Sequence, residues 1–486
     1  MIKKLKWTLA GLGLGALYLL SACSVPARIH KKTIETPPVA YKDAVKNEAD
    51  SLSMAQLHYK SFFTDSILVR LIDEVLEHNL DYKIALEQVN IAQAQLRMAR
   101  GALLPSVNAG LQASGTHYGK YTIDGVGNFD TNLSDNIEEA QKVNTRLTPN
   151  YWLGLNASWE IDLWGKLKNL KTAAQNRYLA SEQGMHLLRS ALVTRVASLY
   201  YDLVALDKQQ VILEENIQLQ KEALEIVSIQ KEVGRATELA VQQFIAQLAN
   251  SESALLAVQQ EAAAIENELL LLMGKYEGEV KRATSILPVK VAHQERLGNP
   301  AQLLQYRPDI AMRYHELEAS HADAKAVRAA FFPTLSISAY GAFNAFNSSY
   351  LFSPSSIAFQ LLGNLVAPVF QQHQLKSQFR IANAEQEMAF LRYQNEVISA
   401  FQEVNSIVRA LQTNERIVAL KNKEVEALTK SIDVSQDLYL AGYATYLEII
   451  NAQKSKIEAQ MAQIVARRDQ ALMMIKLYKA LGGGWQ

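Results

Sequence analysis

The chain contains a single thiol, and the residues before it indicate its chemistry. Cys23 follows Leu20-Ser21-Ala22 at the end of an apolar run from Leu9 to Leu20, and Lys3, Lys4 and Lys6 precede that run. This is the pattern of a bacterial lipobox, in which the peptide is cut before the cysteine and the sulfur carries diacylglycerol. The apolar run is too short for a good transmembrane helix. Residues 1–22 are therefore expected to be a lipoprotein signal peptide, and Cys23 the lipidation site. Acylation of this kind anchors a protein to a membrane leaflet. With one cysteine there is no intrachain disulfide and no Cys-based zinc site.

No other constellation points to covalent chemistry. The nine histidines form no HExxH, and His315-Glu316…His321 misses that spacing. There is no Walker A loop and no GxSxG elbow. Gly11-x-Gly13-x-Gly15 lies inside the apolar run with no strand before it. The methionines are scattered or paired, as at Met473-Met474, which suits helix packing better than a copper relay. No catalytic residue, cofactor or metal site is expected, apart from the covalent lipid. Lys+Arg and Asp+Glu balance at 49 each, which removes the bulk electrostatic case for nucleic-acid binding. Hydrophobic residues are 49% and charged residues 20%, so the chain is folded rather than disordered.

The elements that carry these residues come twice. Ala102-Leu-Leu-Pro-Ser-Val107 returns as Ala330-Phe-Phe-Pro-Thr-Leu335, and Val233-Gly-Arg-Ala-Thr237 as Ala441-Gly-Tyr-Ala-Thr445. Leu272-Met-Gly274 returns as Ala480-Leu-Gly482. An internal repeat sets the architecture before any other consideration. The chain divides into a linker and equatorial segment at 23–62 with Pro26, Pro37 and Pro38, a first repeat at 63–274, an inter-repeat segment at 275–299, and a second repeat at 300–486. The first repeat is longer, and its extra length falls in a Gly/Asn/Asp-rich loop between Tyr118 and Pro149. Apolar spacing of three and four residues predicts helices over 66–100, 165–232, 237–273, 300–330, 371–440 and 445–481. The longest would reach about 100 Å, which no compact globule needs. Gly234 and Gly442 stand where helices end, positions that favour a positive φ. Thr237 and Thr445 are placed to cap the helices that return.

Each repeat also carries one pair of alternating strands. Val107, Ala109, Leu111 and Ala113 alternate with Asn108, Gly110, Gln112 and Ser114, and Leu153 through Leu163 alternate with Gly154, Asn156, Ser158, Glu160 and Asp162. Leu335, Ile337 and Ala339 alternate with Ser336, Ser338 and Tyr340; Ile357, Phe359, Leu361 and Leu365 alternate with Ala358, Gln360, Leu362 and Asn364. Such strands, with Tyr151, Trp152, Trp159, Trp164, Phe343 and Phe346 near their ends or outer faces, fit a transmembrane β-barrel. Four strands cannot close in lipid, because open edges leave backbone groups unsatisfied, and single-chain barrels begin at about eight. Several chains must share one barrel, and dimer and trimer are both compatible with this arithmetic. The fold class is mainly α with a membrane β-barrel part.

At this point the chain resembles the TolC-like outer membrane factors, in particular their lipoprotein branch of OprM-type and NodT-type efflux proteins. The matching residues are Phe62-Phe63-x-Asp65-x-x-Leu68, Asn79-Leu-Asp81 with Ala85, Tyr306-Arg307-Pro308-Asp309-Ile310, Phe331-Phe332-Pro333, and the Gly442-Tyr-Ala-Thr445 turn with Leu447 to Ala452. The resemblance implies a homotrimer, with a twelve-strand β-barrel in the outer membrane on a twelve-helix α-barrel in the periplasm. It implies a passive exit duct rather than an enzyme. Its partners would be outer membrane lipids, a periplasmic adaptor and an inner-membrane pump, most commonly of the proton-driven RND type. Segments 24–62 and 275–299 would form a girdle around the helices.

The same resemblance makes the helical tips both gate and adaptor contact, through Gly234, Thr237, Gly442 and Thr445. The segment from Gly442 to Ala452 aligns without gaps to the TolC entrance, where aspartates stand at the positions of Glu448 and Asn451. Three-fold symmetry would make Glu448 a carboxylate ring, which favours cations and should raise its own pKa. Tyr439 matches a TolC tyrosine of the closed state. Ala444 and Ala240 replace the tethering arginine and aspartate, so that salt link cannot form, and Arg235 or Glu238 are the candidates to substitute. The alternative reading is a lipid-anchored periplasmic helical scaffold without a pore, which would have no use for the four alternating strands.

Overall fold

A computed structural model describes residues 36–38, 40–41, 53–283 and 297–486. Cys23, the signal segment, most of the 23–62 linker and part of 275–299 lie outside the described residues.

The single helix expected over 66–100 is two: α1 (Ser66–His78) and α2 (Leu80–Gly101). Asp65 starts α1 by accepting from the Ile67 backbone N–H at 2.8 Å, and Leu68, Leu71, Ile72 and Val75 form its buried stripe. Asn79 breaks the run. Its backbone leaves the helical region, and its side chain accepts from Tyr82 N at 2.9 Å to cap the next helix. The strand β1 (Ser106–Thr116) follows, then a helix α3 (Ile123–Thr131) and the strand β2 (Thr148–Ile161). The helix α3 lies within the stretch expected to be a plain loop. It is capped by Thr122, which accepts from Gly125 N at 3.1 Å. The first hairpin of long helices is α4 (Lys166–Glu232) and α5 (Glu238–Leu272).

The second half repeats the order. The helix expected over 300–330 begins as short turns and becomes α6 (Pro308–Ala329) only at Pro308. Proline favours the first helical position and holds the residue before it, Arg307, extended. Then come β3 (Thr334–Ala345), β4 (Ile357–Val366), α7 (Gln374–Leu440) and α8 (Tyr446–Ala480). The long helices of the two halves have equal lengths, 67 and 35 residues. Among the described residues no helix is long and apolar enough to cross a membrane.

The chain forms two spatial units, and each draws on both repeats. One comprises 92–178 and 317–389. It holds the sheet, antiparallel throughout and ordered β1-β2-β3-β4. The central pair β2–β3 joins the repeats. There the backbones are so close that a Cβ at Gly154 would lie 2.3 Å from that of Ala342. The register puts Val107, Leu111, Leu153, Leu155, Trp159, Ile337, Phe343, Phe359 and Leu361 on one face. Asn108, Asn156, Ser158, Ser338, Tyr340 and Gln360 share the other. Phe359 and Leu361 are 83% and 75% exposed, an apolar surface that a water-facing sheet would not carry. Trp152 alternates onto the polar face and lies over Gly110. Trp164, beyond β2, stacks on Phe332 and donates to the Pro333 carbonyl at 2.7 Å, tying the two halves together.

The other unit holds 36–38, 40–41, 53–91, 179–283, 297–316 and 390–486 of the described residues. Its core includes Tyr200, Tyr478, Leu68, Ile72, Leu269 and Ile310, all fully buried. Arg307 is the main polar joint. It donates to Asp309 through Nε at 3.0 Å, to Glu403 at 2.7 Å and to the Ala480 carbonyl at 2.8 Å. Burial works against its charge, but these carboxylates more than offset that and hold its pKa above the ordinary value. Asp65 makes a second joint, where the buried Tyr200 hydroxyl donates to its carboxylate.

Candidate functional site

The ends of the two long hairpins are built by the same turn used twice. At the first, the N–H groups of Arg235 and Ala236 converge on the Gln230 carbonyl at 2.7 and 3.2 Å. At the second, those of Tyr443 and Ala444 converge on Leu438 O at 2.8 and 3.2 Å. Gly234 and Gly442 hold φ of +72° and +76°. A Cβ at either would meet no atom within 4 Å, so the left-handed backbone, not space, selects glycine. Thr237 accepts from Ala240 N at 3.2 Å and Thr445 from Leu447 N at 3.4 Å, the caps expected at both positions.

Glu448 does local work as well. Its carboxylate accepts from Thr445 N at 2.9 Å and from the Thr445 hydroxyl, closing a reciprocal capping box. The Thr445 hydrogen bond holds its carboxyl below the usual range. Within one chain the shift is therefore opposite to that expected from a ring of like charges. Asn451 lies one turn further, and both side chains are exposed.

The two hairpins pack on each other at this end. Val227, Ala240, Val241 and Phe244 of α4 and α5 meet Ile450 of α8, with Tyr446 against the cluster. Ala240 is completely buried there, so a carboxylate in its place would lose its water without a partner. Glu238 does not reach across the hairpins; it pairs with Lys231 of its own hairpin, which lowers its pKa. The polar link between hairpins is different: the Tyr439 hydroxyl donates to Gln230 Oε1 at 2.6 Å. The sequence resemblance points to Tyr439 but to neither Gln230 nor Lys231. An amide and an amine on a long polar helix carry no signal until the partner helix is placed.

In the other unit, the polar face of the sheet carries an uncharged row running across all four strands: Asn108, Asn156, Tyr340 and Gln360. It lines a shallow cavity of about 290 Å³. Among the described residues no group of three His, Cys, Asp or Glu side chains is placed to hold a metal ion.

The model of one protein family, described as outer membrane efflux protein, matches residues 71–275 and 299–483. The cation efflux system protein CusC of Escherichia coli O6:H1 is 27% identical over 473 residues, covering 96% of this chain and 97% of that protein. The toluene efflux pump outer membrane protein TtgI of Pseudomonas putida is 27% identical and covers 97% of each. Among solved structures, a crystal structure of CusC described in terms of transmembrane channel formation superposes with a TM-score of 0.77 at 26% identity, covering 93% of this chain and 100% of that one. With two matched stretches that together take in most of the sequence, the chain belongs to the outer membrane efflux protein family.

Proposed function

We propose that three copies of this chain form a passive exit duct of a tripartite efflux pump. The observation that carries this reading is the sheet. Among the described residues it has four strands, two unpaired edges and a wholly apolar face, and in lipid such a sheet must close with others. The strand β1 of one copy would pair with β4 of the next, preserving antiparallel alternation and giving twelve strands. The polar rows, Asn108 to Gln360 among them, then face the lumen. The long hairpins supply the periplasmic part, and Cys23 carries the covalent lipid that adds a second anchor.

The tips are the gate in this account. The Tyr439–Gln230 hydrogen bond and the apolar cluster around Ala240 hold the second hairpin against the first. A periplasmic adaptor, binding the turns at Gly234, Thr237, Gly442 and Thr445, opens them for an inner-membrane pump of the RND type. Glu448 and Asn451 form a polar ring at the constriction. The capping box supports this role, since it fixes the Glu448 carboxylate at the start of α8. The duct performs no covalent chemistry. CusC and TtgI are named for cations and for toluene, so the architecture itself does not select the solute.

The reading is tested by exporting the chain from a cleavable, non-lipoprotein signal peptide with residues 1–23 removed, a variant that has neither lipid nor leader. An integral barrel still requires detergent for extraction. Release of that variant in buffer alone contradicts the reading.

A further inference from the structure

The first repeat's extra length builds a structure whose purpose the duct reading leaves open. The strands β1 and β3 run in the same direction, so the β1–β2 and β3–β4 connections lie at one end of the sheet, opposite the ends where the helices attach. The β1–β2 connection is a folded arm. The Asn132 side chain donates to Val143 O at 2.7 Å and accepts from Val143 N at 2.8 Å, and His117 Nδ1 lies 2.7 Å from the Arg146 carbonyl oxygen. Within it, α3 and the turn after it set Ile123, Val126, Phe129 and Leu133 on one side. Not one residue of α3 is buried, and Ile123, Phe129 and Leu133 are 91%, 62% and 67% exposed. Polar residues would suffice for a helix meant only for water.

The occupant of this face follows from the sheet edges. The arm rises from the hairpin that contains edge strand β1. The β3–β4 connection rises from the hairpin that contains the other edge, β4, and carries Tyr350 and Phe352, the latter 71% exposed. Closing the barrel by pairing β1 with β4 of a second copy brings one chain's arm beside the neighbour's β3–β4 connection. We propose that α3 is an intersubunit clamp, its apolar face seated on the Tyr350–Phe352 region of the adjacent copy at the outer rim of the barrel. The inference rests on the duct reading and adds a second copy of this chain as the partner of the arm. In a barrel closed only by backbone hydrogen bonds between edges, such a contact adds register: a slipped pairing leaves the apolar face uncovered.

The test is a double variant, Ile123→Cys with Phe352→Cys, in the full-length protein in mild detergent, treated with a short bismaleimide. The clamp predicts dimer and trimer bands on a denaturing gel, lost in either single variant. A Phe129→Asp variant should lower the temperature at which the oligomer dissociates. Light scattering on the uncross-linked protein separates the two ways of failing. A trimer that gives no intersubunit bands, or bands within single chains alone, overturns the clamp and leaves the duct standing. A folded monomer overturns both.

Discussion

The Tyr439 hydroxyl and Gln230 Oε1, 2.6 Å apart and 209 residues apart in sequence, join the last turn of one repeat's long helix to the last turn of the other's. Each residue sits just before its hairpin turn, so the bond lies where a small rotation of one hairpin gives the largest displacement. The apolar cluster around Ala240 lies beside it. The link is uncharged, so ionic strength alone should not undo it.

Removing the hydrogen bond should ease opening. A net contribution of about 1 kcal/mol corresponds to about a fivefold shift toward the open tip per subunit. Tyr439→Phe and Gln230→Ala should raise open probability by similar factors, and the double variant by little more than either single one. Independent, additive effects in that cycle would show that the two residues do not act through their mutual bond.

The observed capping role of Glu448 and its proposed role in a polar ring can be separated by substitution. Glu448→Gln retains an oxygen for the Thr445 N–H but removes the charge, so helix α8 should start normally while cation preference falls. Thr445→Ala removes the cap, costs about 1 kcal/mol, and should speed hydrogen exchange over the first turn of α8. If Glu448→Gln leaves the cation-to-anion permeability ratio unchanged, the carboxylate serves the cap alone.

The joint at Arg307 should be costly to break. Arg307→Met leaves the largely buried Asp309 carboxylate without its cation, a loss of about 3–5 kcal/mol. Denaturant unfolding of the purified protein should show it, whereas Arg313→Met, at a more exposed pair, should cost under about 1 kcal/mol.

The same joint sets an acid limit. Burial alone would raise the Asp309 carboxyl, but the Arg307 hydrogen bonds and charge bring it below the ordinary value. Its contribution is therefore complete above the usual carboxylate range and is lost as pH falls through the depressed folded value. Wild-type stability should drop over that acid range. Asp309→Asn should be less stable at neutral pH and lack that part of the drop.

The long helices and the strand alternation were legible because both are periodic, and periodicity survives without knowledge of partners. The breaks were harder to read. Asn79 ends one helix and caps the next with a single side chain, inside a run whose apolar spacing continues across it. Helix α3 is hidden by Gly125 and Gly127, which lower helix propensity, although Thr122 is a good cap. Of the hairpin tips, the turn glycines and capping threonines were legible because their backbone geometry is local. The hydrogen bond of Tyr439 to Gln230 was not, since it exists only once two distant helices are side by side.

The most direct test of the account is conductance in a planar lipid bilayer, using detergent-purified protein alongside Tyr439→Phe. The account predicts small, cation-preferring channels for the natural sequence and a higher open probability for the variant. Protein shown to be folded and inserted, yet silent in both forms, would contradict it.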